Sequence, residues 1–450
     1  MKKIIPFLLL LLSVSVSAQQ LNKVYVLSEG GASAGTSTLS MLNAQSNEFT
    51  QSIFNPGNIG LFPDGLVSYE GNIYITEQGN FGGSGKIYEL DSAGTVLKSA
   101  IVGTNPYSLA IANNKIYITS GPAGNVSVLN LNDFSFVKNI KVGAYPQEII
   151  AKNNFIFIAN NSVWGGASDS TVSVIAADLD SVISTIVVKL NPSSLAISND
   201  GFLLVGCPGN DSLAVIYKVD LTSFAKVDSF LIPGYGFGKD ISIDKNSDEI
   251  YFKGSTNDII GLNLLTKNVT RVVDAKSVTF TYGYGYDYSN GVHYLLDAKD
   301  FSANGSLITY GSDGTLLHTY ETGIAPRRVL FNYANPSTGV EVSSVATNFD
   351  LEQNYPNPFN PVTTISYSIP KITHPLISSR EGKERSDRGV SVTLKVYDIL
   401  GNEVTTLVNK QQAPGNYKVH FNAASISSGV YFYTLKVGGY INTKRMIVLK

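Results

Sequence analysis

Residues 106–142 read PYSLAIANNKIYITSGPAGNVSVLNLNDFSFVKNIKV and show the pattern that most of this chain follows. The segment contains four short runs rich in Val, Ile and Tyr, in which apolar and polar residues alternate. Gly, Asn or Pro separates each run from the next. Alternation with a period of 2 is typical of β-strands, and the separating residues are typical of turns. The segment therefore predicts four antiparallel strands.

The second of these runs occurs seven times in the chain. Its copies begin at Val24, Ile73, Ile116, Ile156, Leu203, Ile250 and Val292, with spacings of 49, 43, 40, 47, 47 and 42 residues. Repeats of about 40–50 residues with four strands each are typical of propeller blades. We therefore predict an all-β fold, in which residues 19–335 form a seven-bladed β-propeller.

The two ends of the repeat region complement each other. Residues 22–26 (NKVYV) match residues 114–118 (NKIYI), so the chain enters a repeat at its second strand. Residues 325–331 (APRRVLF) match a first strand, and the last repeat stops there. One blade is then built from both ends, which removes the exposed strand edges of an open array. The repeats resemble the YVTN/NHL-like propellers of exported bacterial surface proteins.

Residues 351–450 carry four motifs in a fixed order: NYPNPFNP at 354–361, VYDILGNEV at 396–404, SGVYFY at 428–433 and KRMIVLK at 444–450. This set resembles the C-terminal sorting domain of type IX (Por) secretion cargo. The resemblance implies a small immunoglobulin-like β-sandwich, recognition by the type IX machinery, and delivery through the periplasm to the cell surface or the medium. The motif positions are Pro356, Asn357, Pro358, Asp398, Gly401, Gly429, Tyr431, Lys444 and Lys450.

The N-terminus has the pattern of a secretory signal. Lys2 and Lys3 precede a short apolar run, and small residues precede Gln19, so we predict a signal peptide at 1–18. No later run is long enough for a transmembrane segment. We further predict a linker at 336–350 and a disordered insertion at 372–389 within the sorting domain.

Charge and cysteine content restrict the partners and the chemistry. Segment 19–350 has 19 Lys and Arg against 29 Asp and Glu, a net charge of −10, and segment 351–450 has 12 against 6, a net charge of +6. An acidic body argues against nucleic acid as a partner. Cys207 is the only cysteine, so no intramolecular disulfide can form.

Motifs for catalysis or cofactors are weak in this chain. His293 and His318 fall in strand repeats, which favours structural roles over a nucleophilic triad. The acidic segment 244–249 lacks the glycine of a calcium loop and is better explained as a hairpin turn. A single tryptophan, Trp164, disfavours a quinone cofactor stacked on tryptophan. We expect no cofactor and no metal, and an enzyme is less expected than a binding protein.

The architecture itself predicts a site. In a four-stranded blade, the loop before the first strand and the loop after the second strand emerge on one face, around the central channel. The candidate ligand-binding residues on this face are Asp64, Glu77, Tyr107, Gln147, Lys239, Tyr284, Asp297 and Arg327. We predict that the Arg327 side chain is exposed at the rim of this face, within a basic arc that lies beside an acidic arc. There Arg327 can bind an anionic or zwitterionic ligand.

Three functions stay open at this point. The first is a surface propeller that binds a small molecule, a glycan or a protein on one face. The second is a hydrolase, lyase or metal-dependent lactonase that uses Glu77, Glu29, Asp64 or Asp297. The third is an envelope or adhesion scaffold without a ligand. The alternating tyrosines of segment 282–288 fit either ligand stacking or core packing, and packing is favoured.

Overall fold

The computed structural model describes most of the chain. The described residues are 19–33, 35–55, 62–79, 83–162, 168–208, 213–334, 350–351, 353–354, 357–369, 390–412, 415–424, 426–437 and 440–449. The predicted signal peptide, Trp164, the insertion at 372–389, Pro356 and Lys450 lie outside these ranges, as does the predicted linker except for residue 350. The chain divides into two compact units between residues 336 and 337.

The first unit consists of 28 strands in the described residues. In chain order they are β1 (Gln20–Ser28), β2 (Thr38–Asn43), β3 (Phe49–Phe54), β4 (Pro63–Tyr69), β5 (Asn72–Glu77), β6 (Ser84–Leu90), β7 (Val96–Thr104), β8 (Pro106–Ala112), β9 (Lys115–Ser120), β10 (Asn125–Asn130), β11 (Phe136–Lys141), β12 (Pro146–Lys152), β13 (Phe155–Asn160), β14 (Thr171–Ala176), β15 (Ser181–Val187), β16 (Ser194–Ile197), β17 (Leu203–Cys207), β18 (Ala214–Val219), β19 (Lys226–Ile232), β20 (Lys239–Ile243), β21 (Glu249–Lys253), β22 (Ile259–Asn263), β23 (Val269–Val273), β24 (Thr281–Asp287), β25 (Val292–Asp297), β26 (Asn304–Tyr310), β27 (Leu316–Ile324) and β28 (Pro326–Ala334).

These strands form antiparallel sheets of four, and the described residues of the first unit contain seven such sheets. Six sheets use consecutive strands, from β4–β7 to β24–β27, and the seventh has the order β28-β1-β2-β3. The first strands of neighbouring sheets contact one another in a closed cycle, which includes the contacts β24 with β28 and β28 with β4. The prediction of a β-propeller with repeated four-stranded sheets is confirmed.

Burial changes systematically from the second strand of a sheet to its outermost strand. The second strand β13 is buried along nearly its whole length, because both faces of its sheet are covered by neighbouring sheets. The outermost strand β15 is mostly exposed. This gradient explains why the second strands are continuous apolar runs and therefore gave the clearest repeat signal.

β1 closes the ring by pairing on both sides. Val24, Tyr25 and Val26 lie opposite Phe331, Leu330 and Val329 of β28, and the same strand pairs with β2. Alternate side chains enter different cores, because successive side chains of a strand point to opposite faces. Tyr25 and Leu27 pack with the β4–β7 sheet, whereas Val24 and Val26 pack with the β24–β27 sheet. The first strand of the propeller is thus part of one sheet and packs against two others.

The second unit is a small sandwich of two sheets. Its strands are β29 (Asp350–Leu351), β30 (Val362–Ile369), β31 (Val390–Tyr397), β32 (Glu403–Gln412), β33 (Gly415–Asn422), β34 (Gly429–Val437) and β35 (Tyr440–Val448). One sheet has the order β29-β30-β33 and the other β32-β31-β34-β35. A core that includes Ile365, Leu394, Phe421 and Tyr433 lies between them. Across the described ranges, no helix is long and apolar enough to cross a membrane.

Alternation in the sequence predicts five strands of this sandwich, at 364–368, 392–398, 417–421, 430–437 and 443–449. They correspond to β30, β31, β33, β34 and β35, so the pattern missed the two-residue β29 and also β32. This strand has a single buried apolar side chain, Val408, and most of its other residues are polar and exposed. It is also an edge strand of its sheet, where solvated polar side chains are tolerated on both faces. Its sequence therefore lacks the alternation that marks a strand with one buried face.

The closing strand should contribute to stability as a core element. Leu27 is 1% exposed in β1, whereas Leu317 in the outermost strand β27 is 45% exposed. We expect Leu27→Ala to lower the free energy of unfolding by about 2–5 kcal/mol. The control Leu317→Ala should change it by less than about 0.5 kcal/mol. Urea unfolding of the chain from residue 19 measures both, and equal values for the two variants would contradict the closed ring.

Candidate functional site

The first strand of most sheets begins with an unusual backbone corner. Five non-glycine residues that directly precede a proline have a positive φ, between 42° and 60°. They are Phe62, Asn105, Tyr145, Asn191 and Ala325. Non-glycine residues rarely adopt this conformation, which is found where the surrounding structure enforces it. The repeated corner fixes how these five first strands enter the channel.

A register shift follows the corner in most sheets. Between Pro63 and Gly65 in β4, and between Pro106 and Leu109 in β8, the first strand contains extra residues relative to its partner. Comparable shifts occur at the starts of β12, β20, β24 and β28. A bulge of this kind breaks the period of 2, so two consecutive residues can face the same side. This is how Arg327 and Arg328 of β28 both reach one ion cluster.

The starts of four first strands form this ion cluster across the channel. We call it the septum and define it as Asp64, Glu148, Asp240, Arg327 and Arg328. The three guanidinium nitrogens of Arg327 face three different carboxylates. The distances are 3.7 Å from Nε to Asp64 Oδ1, 3.8 Å from Nη2 to Glu148 Oε1 and 3.3 Å from Nη1 to Asp240 Oδ2. Since the four strands belong to four sheets, the septum ties distant parts of the ring together.

Arg328 makes the shorter contacts of the septum. Its Nε donates to Asp64 Oδ1 at 2.7 Å, and its Nη2 donates to Glu148 Oε1 at 2.6 Å. Burial favours the protonated form of Asp64, but the charges of Arg328 and Arg327 outweigh it and hold the pKa of Asp64 well below its usual range. Burial also opposes the charge on Arg327, and Asp240 and Asp64 nevertheless raise its pKa. Asp64, Arg327 and Arg328 are therefore ionised at neutral pH.

The structure corrects two expectations about Arg327. The residue is 1% exposed and its guanidinium lies inside the septum, so it is not an exposed rim cation. Acidic and basic groups alternate within ion-pair distance, so the predicted separation into a basic and an acidic arc is also wrong. The reason is the bulge, which turns the side chains at the strand start inwards across the channel.

Glu29 lies beside the septum and has a raised pKa. The residue follows β1, and both of its carboxylate oxygens accept from the Tyr282 hydroxyl, at 3.1 and 2.9 Å. Burial is the main cause of the shift, and the charge of Asp64 adds to it; together they raise the pKa of Glu29 to about 7. The opposing charges of Arg327 and Lys239 are weaker. Glu29 thus exchanges its proton near neutral pH.

Three other predicted rim residues are engaged in local structure. Glu77 is buried and accepts from the Tyr88 hydroxyl at 2.9 Å. Asp297 accepts three backbone N–H groups, including that of Phe280 at 2.9 Å. Tyr284 is buried, and its hydroxyl lies 2.8 Å from His293 Nδ1. Of the four carboxylates considered for catalysis, the structure brings only Glu29 and Asp64 together.

The remaining candidates lie at the channel. Tyr107 is close enough to Asp64 for its hydroxyl to lower the pKa of that carboxyl group. Gln147 is half-buried and accepts from Asn161 Nδ2 at 3.1 Å. Lys239 is half-buried at the start of β20. Glu148 and Lys253 were missing from the predicted set, because that set was drawn from the loops before the first strands and after the second strands. Both residues lie within strands, Glu148 in β12 and Lys253 in β21.

The other motifs have structural explanations. His293 is buried, and burial lowers its pKa to about 4. Asp244 accepts from Asn246 N at 3.0 Å and Ser247 Oγ at 2.6 Å, as in an ordinary turn between β20 and β21. Within the described part of the chain, no group of three or more His, Cys, Asp or Glu is arranged to hold a metal ion.

A cavity of about 430 Å³ lies in the channel on one side of the septum. The septum side chains of Glu148, Asp240 and Arg328 form one end of it. Its walls come from the middle and end of the first strands, with Ser194 and Ser242 as small polar residues. Aromatic rings of Tyr288, Phe331 and Tyr333 lie towards its other end, where the Tyr288 and Tyr333 ring centroids are 4.7 Å apart.

In the second unit, the motif residues hold turns and strand ends. Asp398 Oδ1 accepts from the backbone of Leu400 at 2.8 Å and of Asn402 at 2.9 Å, and Gly401 has a φ of 85°. Asn357 Oδ1 accepts from the backbone N–H of Ile447 at 2.8 Å. The motifs at 354–361 and 444–450 are thus joined to each other.

Further motif residues lie in the β31–β35 region. The Tyr431 hydroxyl donates to Ser427 O at 3.0 Å, Gly429 pairs with Val448, and Lys444 pairs with Tyr433 across the sheet. Pro358 precedes Phe359, which packs in the core of the sandwich. Comparison with protein families matches residues 353–449 to the secretion system C-terminal sorting domain (Por_Secre_tail).

Residues 353–449 are a sorting domain. Proteins with this domain are directed to the type IX secretion system, so this chain is secreted or delivered to the cell surface. The sorting domain accounts for the second unit of the fold. A comparison with curated proteins found no match to the chain. The motif residues Asn357, Asp398 and Gly401 therefore belong to a sorting signal whose fold they stabilise.

Solved structures resemble the propeller that precedes the sorting domain. A quinoprotein alcohol dehydrogenase-like protein of Bacteroides thetaiotaomicron has 14% sequence identity and a TM-score of 0.56, with 70% of this chain and 79% of that chain covered. Hydrazine synthase of Kuenenia stuttgartiensis has 16% identity and a TM-score of 0.51, with 59% and 88% covered. At these identities the similarity shows the fold alone.

The septum should be a stability element. Arg327→Ala leaves Asp64 and Asp240 with less compensation in a buried position, so we expect the free energy of unfolding to fall by about 3–5 kcal/mol. Arg271 is the matched control, because its side chain is 42% exposed and pairs with Asp258 and Asp274 at 3.5 and 3.3 Å. Arg271→Ala should cost less than about 1 kcal/mol. Urea unfolding distinguishes the two, and an equally small effect of Arg327→Ala would refute the septum.

Proposed function

We propose that the protein is an exported β-propeller that binds a small, neutral, hydroxyl-rich ligand such as a sugar inside its central channel. In this proposal residues 19–335 form the binding module, 336–350 the linker and 351–450 the sorting domain that delivers the module outside the cell. The observation that carries the proposal is the cavity of about 430 Å³ that ends at the septum.

The size and lining of the cavity support a small ligand. Ligand pockets of proteins are typically about 300–1,000 Å³ and combine apolar walls with a few fixed polar groups. Here the polar end consists of two cations and two carboxylates, whose charges compensate one another: Arg327, Arg328, Asp240 and Glu148. Because the septum is internally paired, it offers donors and acceptors without demanding a charged ligand. A sugar matches such a set, and the aromatic rings at the other end can contact its apolar face.

The cavity can be tested by filling it. Ser242 lines the cavity, and Ser229 lies exposed on the outer strand β19. With glucose and N-acetylglucosamine as probes, we expect saturation-transfer NMR signals from the parent chain and from Ser229→Trp. Ser242→Trp should lose them, because the indole occupies the ligand volume. Signals that persist in Ser242→Trp, or that are absent from the parent with both sugars, would contradict binding in this cavity.

Export can be tested separately in a bacterium that has a type IX system. We expect the chain without residues 351–450 to accumulate in the periplasm, because the secretion machinery recognises the sorting domain. A carrier protein fused to 351–450 should leave the cell, whereas the carrier alone should not. Fractionation and mass spectrometry measure both, and the exported product should lack Lys450. Efficient export of the shortened chain would be inconsistent with this role.

A further inference from the structure

A second set of side chains surrounds the channel mouth near the starts of the first strands. We call it the mouth cluster and define it as Glu29, Lys239, Lys253, Phe280, Tyr282 and Phe301. None of these residues lines the cavity. Their positions follow from β20 and β24, where Lys239 and Tyr282 occur at the strand starts while the cavity extends towards the strand ends. The mouth cluster is therefore separate from the cavity.

Two lysines stand side by side in the mouth cluster. Lys239 and Lys253 are direct partners across β20 and β21. Lys253 Nζ donates to Gly254 O at 3.4 Å and lies 5.8 Å from the centroid of the Phe280 ring. Lys239 is half-buried, and its ammonium group makes no hydrogen bond or ion pair with any described residue. The carboxylates of Asp64 and Glu148 act on this ammonium group only from beyond ion-pair distance. A partly buried ammonium group without a direct ion pair is suited to an anionic ligand, because a new ion pair is stronger where water is already partly excluded.

Three aromatic rings stand next to the lysines. Phe280 and Phe301 are 43% and 41% exposed, with ring centroids 5.3 Å apart. The Tyr282 ring lies 5.0 Å from Phe301, and its hydroxyl donates to Glu29. Large aromatic side chains exposed together at a channel mouth are typical of ligand contact surfaces. The cluster thus offers an apolar surface of rings packed edge to face. Beside it lie two ammonium groups, neither of which makes an ion pair within 4 Å with a described carboxylate.

We propose that the mouth cluster binds a small ring compound that bears one carboxylate, with the carboxylate on Lys239 and the ring against Phe280 and Phe301. A single negative charge fits best, because Asp64 and Asp240 lie nearby and would oppose a dianion. Aromatic faces contact either a sugar ring or a planar aromatic ring. The ligand is then a sugar acid or an aromatic acid, and the two are distinguished by experiment.

Glu29 makes this binding dependent on pH. The charged and titratable groups that face it are Asp64 of β4, Lys239 of β20, Tyr282 of β24 and Arg327 of β28. Below its pKa of about 7, Glu29 is neutral and leaves Lys239 free for the ligand. Above that pH, the ionised Glu29 repels a carboxylate and competes for Lys239. Burial and the charge of Arg327 also lower the pKa of Lys239. Affinity should therefore fall as the pH rises from 6 to 8.

Isothermal titration of the chain from residue 19 tests the proposal. The probes are 4-hydroxybenzoate and glucuronate, each with a neutral counterpart, 4-hydroxybenzamide and glucose. Glucuronate and glucose are compared in the Ser242→Trp background, so that the filled cavity does not contribute to their binding. We expect at least one acid to bind about tenfold more tightly than its neutral counterpart. Lys239→Met should weaken that binding by about tenfold, because it removes the charge and keeps most of the side chain. Glu29→Gln should retain binding and remove its decrease between pH 6 and 8.

Lys245 provides the matched control. This lysine lines the cavity on the other side of the septum, with its Nζ 4.8 Å from the Tyr288 ring centroid. Lys245→Met and the cavity variant Ser242→Trp should both leave acid binding within about twofold of the parent, so failure of the cavity proposal would not affect this one. If Lys239→Met does not fold, Phe301→Ala tests the proposal instead and should weaken acid binding. The exposed Phe301 ring can be removed without disturbing a core. Binding of neither acid, or unchanged binding in Lys239→Met or Phe301→Ala, would overturn the proposal.

Discussion

The pairing of β1 with β28 is the interaction on which the rest of this structure depends. It joins the two ends of the propeller, more than 300 residues apart, through an antiparallel register in which Val26 lies opposite Val329. The pairing removes two exposed strand edges and buries alternate side chains of β1 in two different cores. The pairing also places charged groups at the channel, because Glu29 directly follows β1 and Arg327 is the second residue of β28. Without closure, the septum would lose both arginines.

The septum shows how a propeller can carry charges in its centre. Arg327 is almost completely buried, and an isolated buried guanidinium would be strongly unfavourable. Three carboxylates from three sheets surround it, and Arg328 pairs with two of them at shorter distances. Such a network holds the sheets in one relative position, because displacement of any first strand leaves a buried charge unpaired. The same pairing leaves little net charge facing the cavity.

The two ends of the channel differ chemically because they use different parts of the first strands. At the strand starts, the bulge brings consecutive polar side chains inwards. Lys239 lies there without a direct ion pair to a described carboxylate, although Asp64 and Glu148 act on it from a longer distance. Further along, regular alternation returns, and the walls carry small residues and aromatic rings. A neutral ligand in the cavity and a carboxylate at the mouth are therefore compatible within one channel. The sorting domain is independent of both, since its own core and turns account for its motif residues.

The sequence by itself determined the repeat, the four-stranded sheets, the complementary ends and the sorting domain. These features depend on local alternation, turn residues and motifs, which are visible in a single chain. It located Asp64, Lys239 and Arg327 near the channel but not their environment. The exposed rim position of Arg327 and the separate charge arcs were wrong, because a bulge changes which side chains face inwards. Glu148 and Lys253 were missed, because the predicted set came from loops and both residues lie within strands. Only the tertiary structure decided which charges are paired, since Coulomb interactions between strands of different sheets depend on distances of a few ångströms that no sequence spacing encodes.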